Sequence, residues 1–576
     1  MARIRKVEIR NFRSIRSLDW CPTAGVNCLI GPGDSGKSTI LDAIDLCLGA
    51  RRNLAVADTD FFGLDVTQDI CVALTLGALP DTLKNIDAYG EYLRGFDSTT
   101  GSVEDEPRKG LETVLTLRLT VKADLEPLWA LYSDRTAAVE PSRGLGWKDR
   151  MALAPARLGN HPSSNLSWTR GSVLNRLSDE RADVGSELAS AAREARAGFG
   201  AKAAPQLAGT LKTVTKTAHD LGVPLGASAT ALLDAHSVSF GDGAISLHSE
   251  SGIPLRSLGT GSSRLLIAGL HRAAAEAASI VLVDEIELGL EPHRLTRLLG
   301  SLGSKDKSLP LQVFMTTHSP VVLRELSGAQ FYVVRPADGV HNVLQVGSGD
   351  DVQSTIRCFP EAFLARTVIV CEGASEVGLI RGLDDYWAAS GYASLQAAGV
   401  SYVDTGGGDA DRCFYRAEAF QKLGYRVAAV QDNDKTPTPA VVAKFVDAGG
   451  YLVAWRDGRA LEDELFMSVP PAVVSALIGR AIELTEDGLV DQHIKTKSSG
   501  KANLAAVLQD GNDAGFSAAA RKLLGESSRI RKAGWFKSID KMEGVARDIL
   551  GPNLDACDPG FVGPVRSLFT WAHTHA

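Results

Sequence analysis

The residues Gly31–Ser38 have the composition and spacing of a phosphate-binding loop. They read Gly-Pro-Gly-Asp-Ser-Gly-Lys-Ser, follow the apolar run Val26–Ile30 and precede a helical pattern of apolar residues. Glycines let backbone N–H groups turn toward phosphate oxygens, Lys37 adds a positive charge near the β- and γ-phosphates, and Ser38 offers its hydroxyl to Mg²⁺. The sequence therefore predicts an ATP site with a bound Mg²⁺. The residues expected to bind the nucleotide are Gly31, Gly33, Asp34, Ser35, Gly36, Lys37, Ser38 and Thr39.

A pair of acids follows a second apolar run, Ser279–Val283. A buried strand of this kind is expected to lie beside the strand Val26–Ile30 in a mostly parallel sheet. That position would place Asp284 near Mg²⁺ through water and would let Glu285 polarise the water that attacks the γ-phosphate. Both acids are therefore predicted to act in ATP binding and hydrolysis.

Two further segments complete the pattern of a nucleotide hydrolase. The strand-like run Val313–Thr317 ends at His318, and the order of the motifs predicts that this histidine senses the γ-phosphate. Ser257–Arg264 precedes an apolar helix and resembles the signature motif of ABC ATPases, although Gly259 stands where serine is expected. In such a motif the helix start, here Gly261, reaches a γ-phosphate held by another subunit, so hydrolysis would need two chains. The sequence has no clear Q-loop glutamine, and the candidates are Asp58, Asp60 and Gln68.

The second half of the chain carries acids at the ends of successive strand-like runs. The carboxyl ends of parallel strands share one edge of a sheet, so these side chains would lie close together. Crowded carboxylates repel unless cations neutralise them, and hard oxygen ligands suit Mg²⁺ or Mn²⁺. Two such ions can activate water and stabilise the leaving oxygen in phosphodiester cleavage. The acids are Glu372 and Glu376 after Arg366–Val370, Asp432 and Asp434 after Val427–Val430, and Glu462, Asp463 and Glu464 after Tyr451–Trp455.

This arrangement of acids resembles the Toprim domain of topoisomerases, primases and certain nucleases. With the phosphate loop in its other half, the whole chain is similar to the OLD (overcoming lysogeny defect) family of ATP-dependent nucleases, which includes the nuclease subunit of Gabija phage-defence systems. The resemblance implies metal-dependent nicking or cleavage of DNA, with Glu372 and Asp432 as catalytic residues. The metal ligands that it implies are Glu372, Glu376, Asp432, Asp434 and one or more of Glu462, Asp463 and Glu464, of which we take Glu462.

A basic stretch, Arg521–Lys541, lies in the C-terminal part of the chain. Taken alone, a run of this kind is typical of a solvated helix face. The resemblance gives the stretch a second interpretation, because the family uses a lysine from this segment to stabilise charge at the scissile phosphate. Lys537, in the segment Gly534–Lys537, is the best match, and Lys532 and Lys541 remain competitors.

The order of the motifs predicts an α/β fold in which an ABC-type P-loop ATPase domain with a helical insertion precedes a Rossmann-like Toprim domain and a C-terminal helical segment. The Ala-, Leu-, Glu- and Arg-rich insertion indicates amphipathic helices and a dimer contact. Strand-like sequence resumes at residues 238–240 and 244–247. The predicted ranges are 1–167 and 237–348 for the ATPase, 168–236 for the insertion, 362–480 for the Toprim domain and 481–576 for the helical part of the nuclease region.

Composition narrows the class of protein. A length of 576 residues indicates two or three domains. The net charge of −8 leaves DNA open as a partner, because a local basic groove can coexist with acidic metal-binding clusters. Eight scattered cysteines without a Cys-x-x-Cys pair argue against zinc and disulfides and favour a cytoplasmic setting. No apolar run approaches the ~20 residues that cross a bilayer, and no signal-peptide pattern is present.

The leading hypothesis is an ATP-regulated, two-metal DNA endonuclease, acting in phage defence or DNA processing as a homodimer or larger homo-oligomer. A helicase encoded nearby is a candidate partner, and no membrane partner is expected. The first alternative is a DNA-binding ATPase of the SMC or RecF type, whose second half only binds or scaffolds. The second is a primase-like Toprim enzyme, which is disfavoured because the sequence shows no primase zinc motif.

Overall fold

The computed structural model describes residues 2–574 apart from 52, 138–142, 159–173, 175–184, 222, 225, 231–246, 275–278 and 531–532. The chain divides into two compact units, of which the first comprises Met1–Asn27 and Ser38–Thr316 and the second comprises Cys28–Lys37 and Thr317–Ala576. Within the described residues, no helix has the length and apolar character that a membrane span requires.

The strands form where the sequence has apolar runs. Val26–Ile30 and Ile280–Val283 are buried at every position, as central strands of a parallel sheet are. In chain order the strands are β1 (Arg3–Phe12), β2 (Ile15–Trp20), β3 (Val26–Ile30), β4 (Ile70–Gly77), β5 (Leu93–Phe96), β6 (Val103–Glu104), β7 (Glu112–Val121), β8 (Pro127–Tyr132), β9 (Ala156–Leu158), β10 (Ile280–Val283), β11 (Gln312–Thr316), β12 (Phe331–Ala337), β13 (Val340–Gln345), β14 (Thr367–Cys371), β15 (Val400–Asp404), β16 (Arg426–Gln431) and β17 (Tyr451–Ala454).

The helices of the described residues follow the strands of the first half and dominate the C-terminal part, as predicted. They are α1 (Lys37–Leu48), α2 (Ile86–Tyr89), α3 (Trp147–Leu153), α4 (Gly185–Asp220), α5 (Thr260–Ala273), α6 (Pro292–Ser301), α7 (Pro320–Glu325), α8 (Asp350–Cys358), α9 (Pro360–Leu364), α10 (Ala374–Ala389), α11 (Asp411–Lys422), α12 (Pro439–Asp447), α13 (Leu461–Ser468), α14 (Pro471–Leu484), α15 (Leu489–Lys497), α16 (Leu504–Ala514), α17 (Ala518–Ser528), α18 (Ile539–Val545), α19 (Gly551–Asn553) and α20 (Pro559–His573).

The first unit contains antiparallel and parallel pairings. Six strands run antiparallel in the order β6, β5, β7, β4, β1, β2, and β8 also pairs with β7. Separately, β10 pairs in parallel with β9 on one side and β11 on the other. The prediction that the Ser279–Val283 strand lies beside Val26–Ile30 is therefore wrong. A uniformly apolar run fits any central position in a parallel sheet, so the pattern does not determine which strands are its neighbours.

The second unit holds the strands that carry the candidate acids. Its sheet has the order β15, β14, β16, β17, and all four strands are parallel. Cys371 pairs with Asp404 on one side and Val430 on the other, so the carboxyl ends lie at one edge, as predicted. Elsewhere in this unit, Cys28–Ile30 of β3 pairs in parallel with Phe331–Val333 of β12, and β12 pairs antiparallel with β13.

A continuous apolar core joins the β14–β17 sheet to the C-terminal helices. It includes Ile369 of β14, Leu465 of α13 and Trp535, all of them almost fully buried. The C-terminal helices therefore belong to the same folded body as the sheet. Burial of large apolar side chains is the main source of stability for such an arrangement.

The basic stretch Arg521–Lys541 is not the solvated helix face that its composition alone suggests. Helix α17 ends at Ser528 and α18 begins at Ile539, while Trp535 between them is fully buried. Arg521 donates to the carbonyls of Phe466 and Val469, at 2.8 and 2.6 Å. The stretch is instead folded onto the body of the unit because its apolar residues, which a count of charges overlooks, are drawn into the core.

The predicted helical insertion is described only in part. Helix α4, Gly185–Asp220, lies inside the predicted range 168–236. The strand-like segments expected at residues 238–240 and 244–247 fall outside the described residues, apart from Leu247.

Candidate functional site

The phosphate loop is closed around its lysine. The Lys37 ammonium, which is buried, donates to the carbonyls of Gly31 and Pro32 at 3.1 and 2.7 Å and to the Ser35 hydroxyl at 3.1 Å. Gly31 has φ of 139°, a region that favours glycine. The predicted strand–loop–helix context is present, because β3 leads into the loop and α1 begins at Lys37.

Ser38 and Asp284 are in direct contact, although 246 positions separate them in sequence. The Ser38 hydroxyl donates to Asp284 Oδ1 at 3.0 Å, and the Thr316 hydroxyl donates to the same oxygen at 2.6 Å. Thr316 also accepts from the backbone N–H of Glu285 at 2.8 Å. The two residues predicted to share Mg²⁺ are thus brought together. Thr316 was not predicted, and its only signal is a hydroxyl at the end of an apolar strand.

Arg264, which is 1% exposed, holds the backbone around Glu285. Its guanidinium donates to the carbonyls of Asp284, Glu285 and Leu288 at 3.1, 2.9 and 3.1 Å. Glu285 has φ of 45°, a conformation that a non-glycine residue adopts only when its surroundings hold it there. Burial lowers the pKa of Arg264. Sequence reasoning placed this arginine in the signature-like segment but did not predict its contacts.

The other residues predicted to bind or sense the nucleotide differ in their packing and exposure. Gly261 packs against the Gly289 carbonyl, which would lie 2.6 Å from a Cβ atom at Gly261, so a side chain does not fit there. His318 is exposed in the loop between β11 and α7. Of the Q-loop candidates, Asp60 forms an ion pair with Arg13 at 2.9 Å.

Four predicted acids meet at the carboxyl edge of the β14–β17 sheet. The backbone N–H of Asp432 donates to Glu372 Oε2 at 3.2 Å. Glu376 Oε2 accepts from the Gly373 N–H at 3.0 Å, at the start of α10. Glu462, in the first turn of α13, is fully buried. We call these acids, Glu372, Glu376, Asp432 and Glu462, the four-acid cluster.

The four-acid cluster carries more negative charge than its surroundings neutralise. Burial raises the pKa of each carboxyl group, and the pKa of Glu376 rises to about 7. Burial has the largest effect on the pKa of Glu376, and the negative charge of Glu462 raises it further. In the same way, burial has the largest effect on the pKa of Asp432, and the negative charge of Glu376 raises it further. Like charges within a few ångströms disfavour ionisation in this way. The raised pKa values therefore describe the titration of the four carboxyl groups together, and a bound proton is not assigned to one residue.

Lys537 acts on this cluster from the C-terminal segment. Burial raises the pKa of Glu372 and Glu462, and the positive charge of Lys537 opposes that rise in both. Trp535 anchors the segment, because it is fully buried and its indole N–H donates to His493 Nδ1 at 3.1 Å. Of the competing lysines, Lys541 lies in the first turn of α18, and Lys532 lies outside the described residues.

Lys435 is a second cation at the site that sequence reasoning missed. Its ammonium donates to the Gly408 carbonyl at 2.8 Å, and its charge opposes the rise in the pKa of Glu372. Its position directly after Asp434 was the available signal.

Arginines pair with the remaining predicted acids. Arg529 lies between Asp434 and Asp463, at 2.9 and 3.1 Å. Glu464 is fully buried and forms ion pairs with Arg456 and Arg459. Glu464 is therefore balanced by positive charge, whereas Asp434 and Asp463 share one arginine.

The donor set of the four-acid cluster fits a hard divalent cation in its chemistry, since carboxylate oxygens are the ligands that Mg²⁺ and Mn²⁺ prefer. In the residues that the structure describes, no three His, Cys, Asp or Glu side chains converge closely enough to hold an ion as they stand. Binding would have to draw the carboxylates together.

Family models match three segments of the chain. Models of the AAA domain match residues 6–98 and 149–324. The model of the TOPRIM domain of overcoming lysogenization defect protein-like proteins matches residues 363–434, which include Glu372, Glu376, Asp432 and Asp434. The chain carries ATPase and Toprim domains and is similar to proteins of the OLD family. The predicted fold class, a P-loop ATPase followed by a Toprim domain, is confirmed.

Individual relatives match the chain in part. The OLD nuclease of Thermus scotoductus is 25% identical over 357 residues, which are 55% of the chain and 59% of that nuclease. The DNA replication and repair protein RecF of Chlorobium phaeovibrioides is 26% identical over 112 residues, 18% of the chain and 30% of RecF. The chain thus spans less than two thirds of these relatives.

Solved structures with a likeness to the chain include a RecF recombination mediator and an SMC head domain from Thermotoga maritima. The RecF structure is 11% identical, has a TM-score of 0.31 and is matched over 98% of its length by 60% of the chain. The SMC head is 15% identical, has a TM-score of 0.27 and is matched over 99% of its length by 60% of the chain.

Proposed function

We propose that the protein is an ATP-binding and ATP-hydrolysing DNA endonuclease that nicks or cleaves DNA with two Mg²⁺ or Mn²⁺ ions. The observation that carries the proposal is the four-acid cluster, whose buried carboxylates have raised pKa values with Lys537 close by. The Toprim family match and the similarity to an OLD nuclease support the same chemistry.

The acids Glu372, Glu376, Asp432 and Glu462 would hold the ions, with Asp434 as a further ligand once it leaves Arg529. Bound Mg²⁺ supplies a Lewis acid that activates water and stabilises the leaving oxygen. The Leu461 N–H donates to Asp432 Oδ1 at 2.8 Å, which fixes the orientation of that carboxylate. Lys537 would place its ammonium at the scissile phosphate, where it stabilises the negative charge that develops.

The ATPase half would regulate this chemistry. Ser38 and Asp284 would bind the Mg²⁺ of ATP, Glu285 would polarise the attacking water and His318 would sense the γ-phosphate. The contact between Ser38 and Asp284 supports the first of these roles.

A second copy of the chain would complete the assembly. On α4, Leu207 and Val214 are exposed and lie seven residues apart, and the exposed Leu221 follows at the same spacing. Apolar residues at this spacing form one stripe along a helix and pack against a partner helix. We take the range 168–236 as the dimerisation insertion. DNA, and a helicase encoded nearby, are the proposed partners in the cytoplasm, with phage defence or DNA processing as the role.

Plasmid nicking by the full chain, with Mg²⁺ or Mn²⁺ and with or without ATP, tests the proposal. Glu372→Ala and Asp432→Ala should abolish nicking and leave ATP binding unchanged. Asp404→Asn is the control, because Asp404 ends a strand at the same sheet edge without belonging to the four-acid cluster. Normal nicking by both alanine variants would reject the proposal. A wild-type chain that binds DNA and hydrolyses ATP but never cuts in any metal would favour the DNA-binding ATPase instead.

A further inference from the structure

The phosphate loop touches strand β12 where the loop begins. Ile30 pairs with Val333 in the parallel ladder between β3 and β12. The next residue, Gly31, lies so close to β12 that a Cβ atom at this position would be 2.8 Å from the Val334 carbonyl oxygen. A rearrangement of the loop around a nucleotide would therefore press directly on the backbone of β12.

Arg335, the residue after Val334, extends from β12 to the Toprim sheet. Its guanidinium donates to the Ala365 carbonyl at 3.1 Å and lies over the Tyr425 ring, with Cζ 3.7 Å from the ring centroid. Tyr425 is fixed in turn, because its hydroxyl donates to the Phe363 carbonyl at 2.6 Å. One side chain thus contacts two separate segments of the Toprim half.

Those two segments lead into the strands that carry the metal-ligand candidates. Ala365 lies just before β14, which Glu372 follows, and Tyr425 lies just before β16, which Asp432 follows. The two strands are in register from Thr367, paired with Arg426, to Cys371, paired with Val430. A strand rises ~3.3 Å per residue, so about 20 Å of chain separates each contact with Arg335 from the acid that follows the strand. A displacement at Arg335 would be transmitted over that distance.

We propose that Arg335 is a positioning residue that couples the nucleotide state of the phosphate loop to the arrangement of the four-acid cluster. The inference rests on the proposed function. All five residues of β14 are buried, and a close-packed interior transmits displacement instead of absorbing it. Arg335 contacts the residues just before both strands. A shift of β12 would therefore change the distance between Glu372 and Asp432 or displace both acids in the same direction. ATP would in this way control whether the acids can bind metal.

The test uses the full chain with Arg335→Met, which removes the guanidinium and keeps an unbranched side chain. Arg426→Met is the matched control. Arg426 also lies over an aromatic ring, that of Trp571 at 4.4 Å, and donates to the Trp571 carbonyl at 2.9 Å. Its contacts are thus of the same kind but involve the C-terminal helix α20 instead of β12.

Amide hydrogen exchange is measured in peptides covering residues 28–38, 366–372 and 427–432, with and without Mg²⁺ and a non-hydrolysable ATP analogue. In the wild-type chain and in Arg426→Met, nucleotide should change exchange in all of these peptides. In Arg335→Met, the response of 28–38 should persist and the response of the other two should fall at least fivefold. The proposal is overturned if both Toprim peptides of Arg335→Met respond to nucleotide as strongly as those of the wild-type chain. It is also overturned if neither Toprim peptide of the wild-type chain responds.

A pair of Tyr425 variants covers the case in which Arg335→Met fails to fold. Tyr425→Phe keeps the ring under Arg335 and should keep the response, whereas Tyr425→Leu should lose it. Equal responses in these two variants also overturn the coupling. Plasmid nicking on the same samples separates the coupling from the proposed nuclease function. If the exchange response requires Arg335 but the wild-type chain never cuts DNA, the nuclease is rejected and the coupling is retained.

Discussion

The backbone N–H of Asp432 donates to the carboxylate of Glu372 at 3.2 Å, across the ends of two adjacent parallel strands. The contact exists because Cys371 pairs with Val430, so that β14 and β16 end at the same level. It places an acid of one strand against the backbone of the next. The candidate nuclease site is thus centred on a pair of strand ends, and helices α10 and α13 bring Glu376 and Glu462 to the same place.

The stability of the protein without divalent metal should fall as pH rises from about 5 to about 8. The folded-state pKa of Glu376 is raised to about 7 by burial and then by Glu462, so the folded protein binds a proton that the unfolded chain releases near pH 4.5. That stabilisation is complete below the unfolded pKa and is lost as pH rises through the folded pKa. Thermal unfolding at several pH values measures the slope.

Glu376→Gln should flatten this pH profile, because the amide cannot ionise. Saturating Mg²⁺ should raise the wild-type melting temperature above pH 7, by the equivalent of about 2.7 kcal/mol at one hundred times Kd. A profile that rises between pH 5 and 8 in chelator would contradict the charge balance described for the four-acid cluster.

Lys537→Ala should slow DNA nicking by about 100- to 1,000-fold, the usual cost of losing one group that stabilises charge in a transition state. Single-turnover nicking at saturating Mg²⁺ is the measurement, with DNA binding followed separately by fluorescence anisotropy. Lys541→Ala, from the first turn of α18, is the control and should remain within about twofold of wild type. The reverse pattern would assign the role to Lys541.

Gly378→Ala should destabilise the protein by about 1–3 kcal/mol, the usual effect of overpacking. A Cβ atom at Gly378 would lie 2.5 Å from the Ile539 carbonyl and 2.8 Å from Met542 Cβ, so α10 and α18 would have to separate. Since α10 carries Glu376 and α18 follows Lys537, nicking should fall as well.

Gly544→Ala provides the comparison for this change, because it lies in α18 and, apart from its chain neighbours and the backbone of its own helix, no atom lies within 4 Å of its Cβ position. It should stabilise the chain by up to about 1 kcal/mol through helix propensity. Urea unfolding gives both values. Equal effects of the two substitutions would mean that the helices are not in close contact.

Arg264→Lys should reduce ATP hydrolysis by at least about tenfold with little change in ATP binding, because one ammonium cannot replace a guanidinium that donates to the carbonyls of Asp284, Glu285 and Leu288. Steady-state kcat and a separate binding titration provide the readouts. Arg272→Lys, on the same helix but more exposed, should leave both unchanged. A loss of ATP binding in Arg264→Lys would show that the arginine supports the loop rather than the position of Glu285.

Much of the architecture could be predicted because its signals are local. The runs before Gly31, Asp284, Glu372 and Asp432 each form a buried strand, and the acids lie at strand ends where the periodicity places them. The neighbours of β10 could not be predicted, because its residue Val281 pairs with Ala156, 125 positions away, and a short apolar run carries no information about its partner. The course of the basic stretch could not be predicted from its charges for a similar reason, since the buried Trp535 determines its position.

The sequence by itself determined which residues could bind phosphate and metal, through the glycine spacing of Gly31–Ser38 and the acids that follow the Toprim strands. Only the tertiary structure decided which acids retain unbalanced charge. Glu462 and Glu464 are two positions apart, yet Arg456 and Arg459 pair with Glu464, while Glu462 joins the four-acid cluster. The physical reason is that burial and pairing set the charge of a carboxylate, and both depend on residues that the fold brings together from distant parts of the chain.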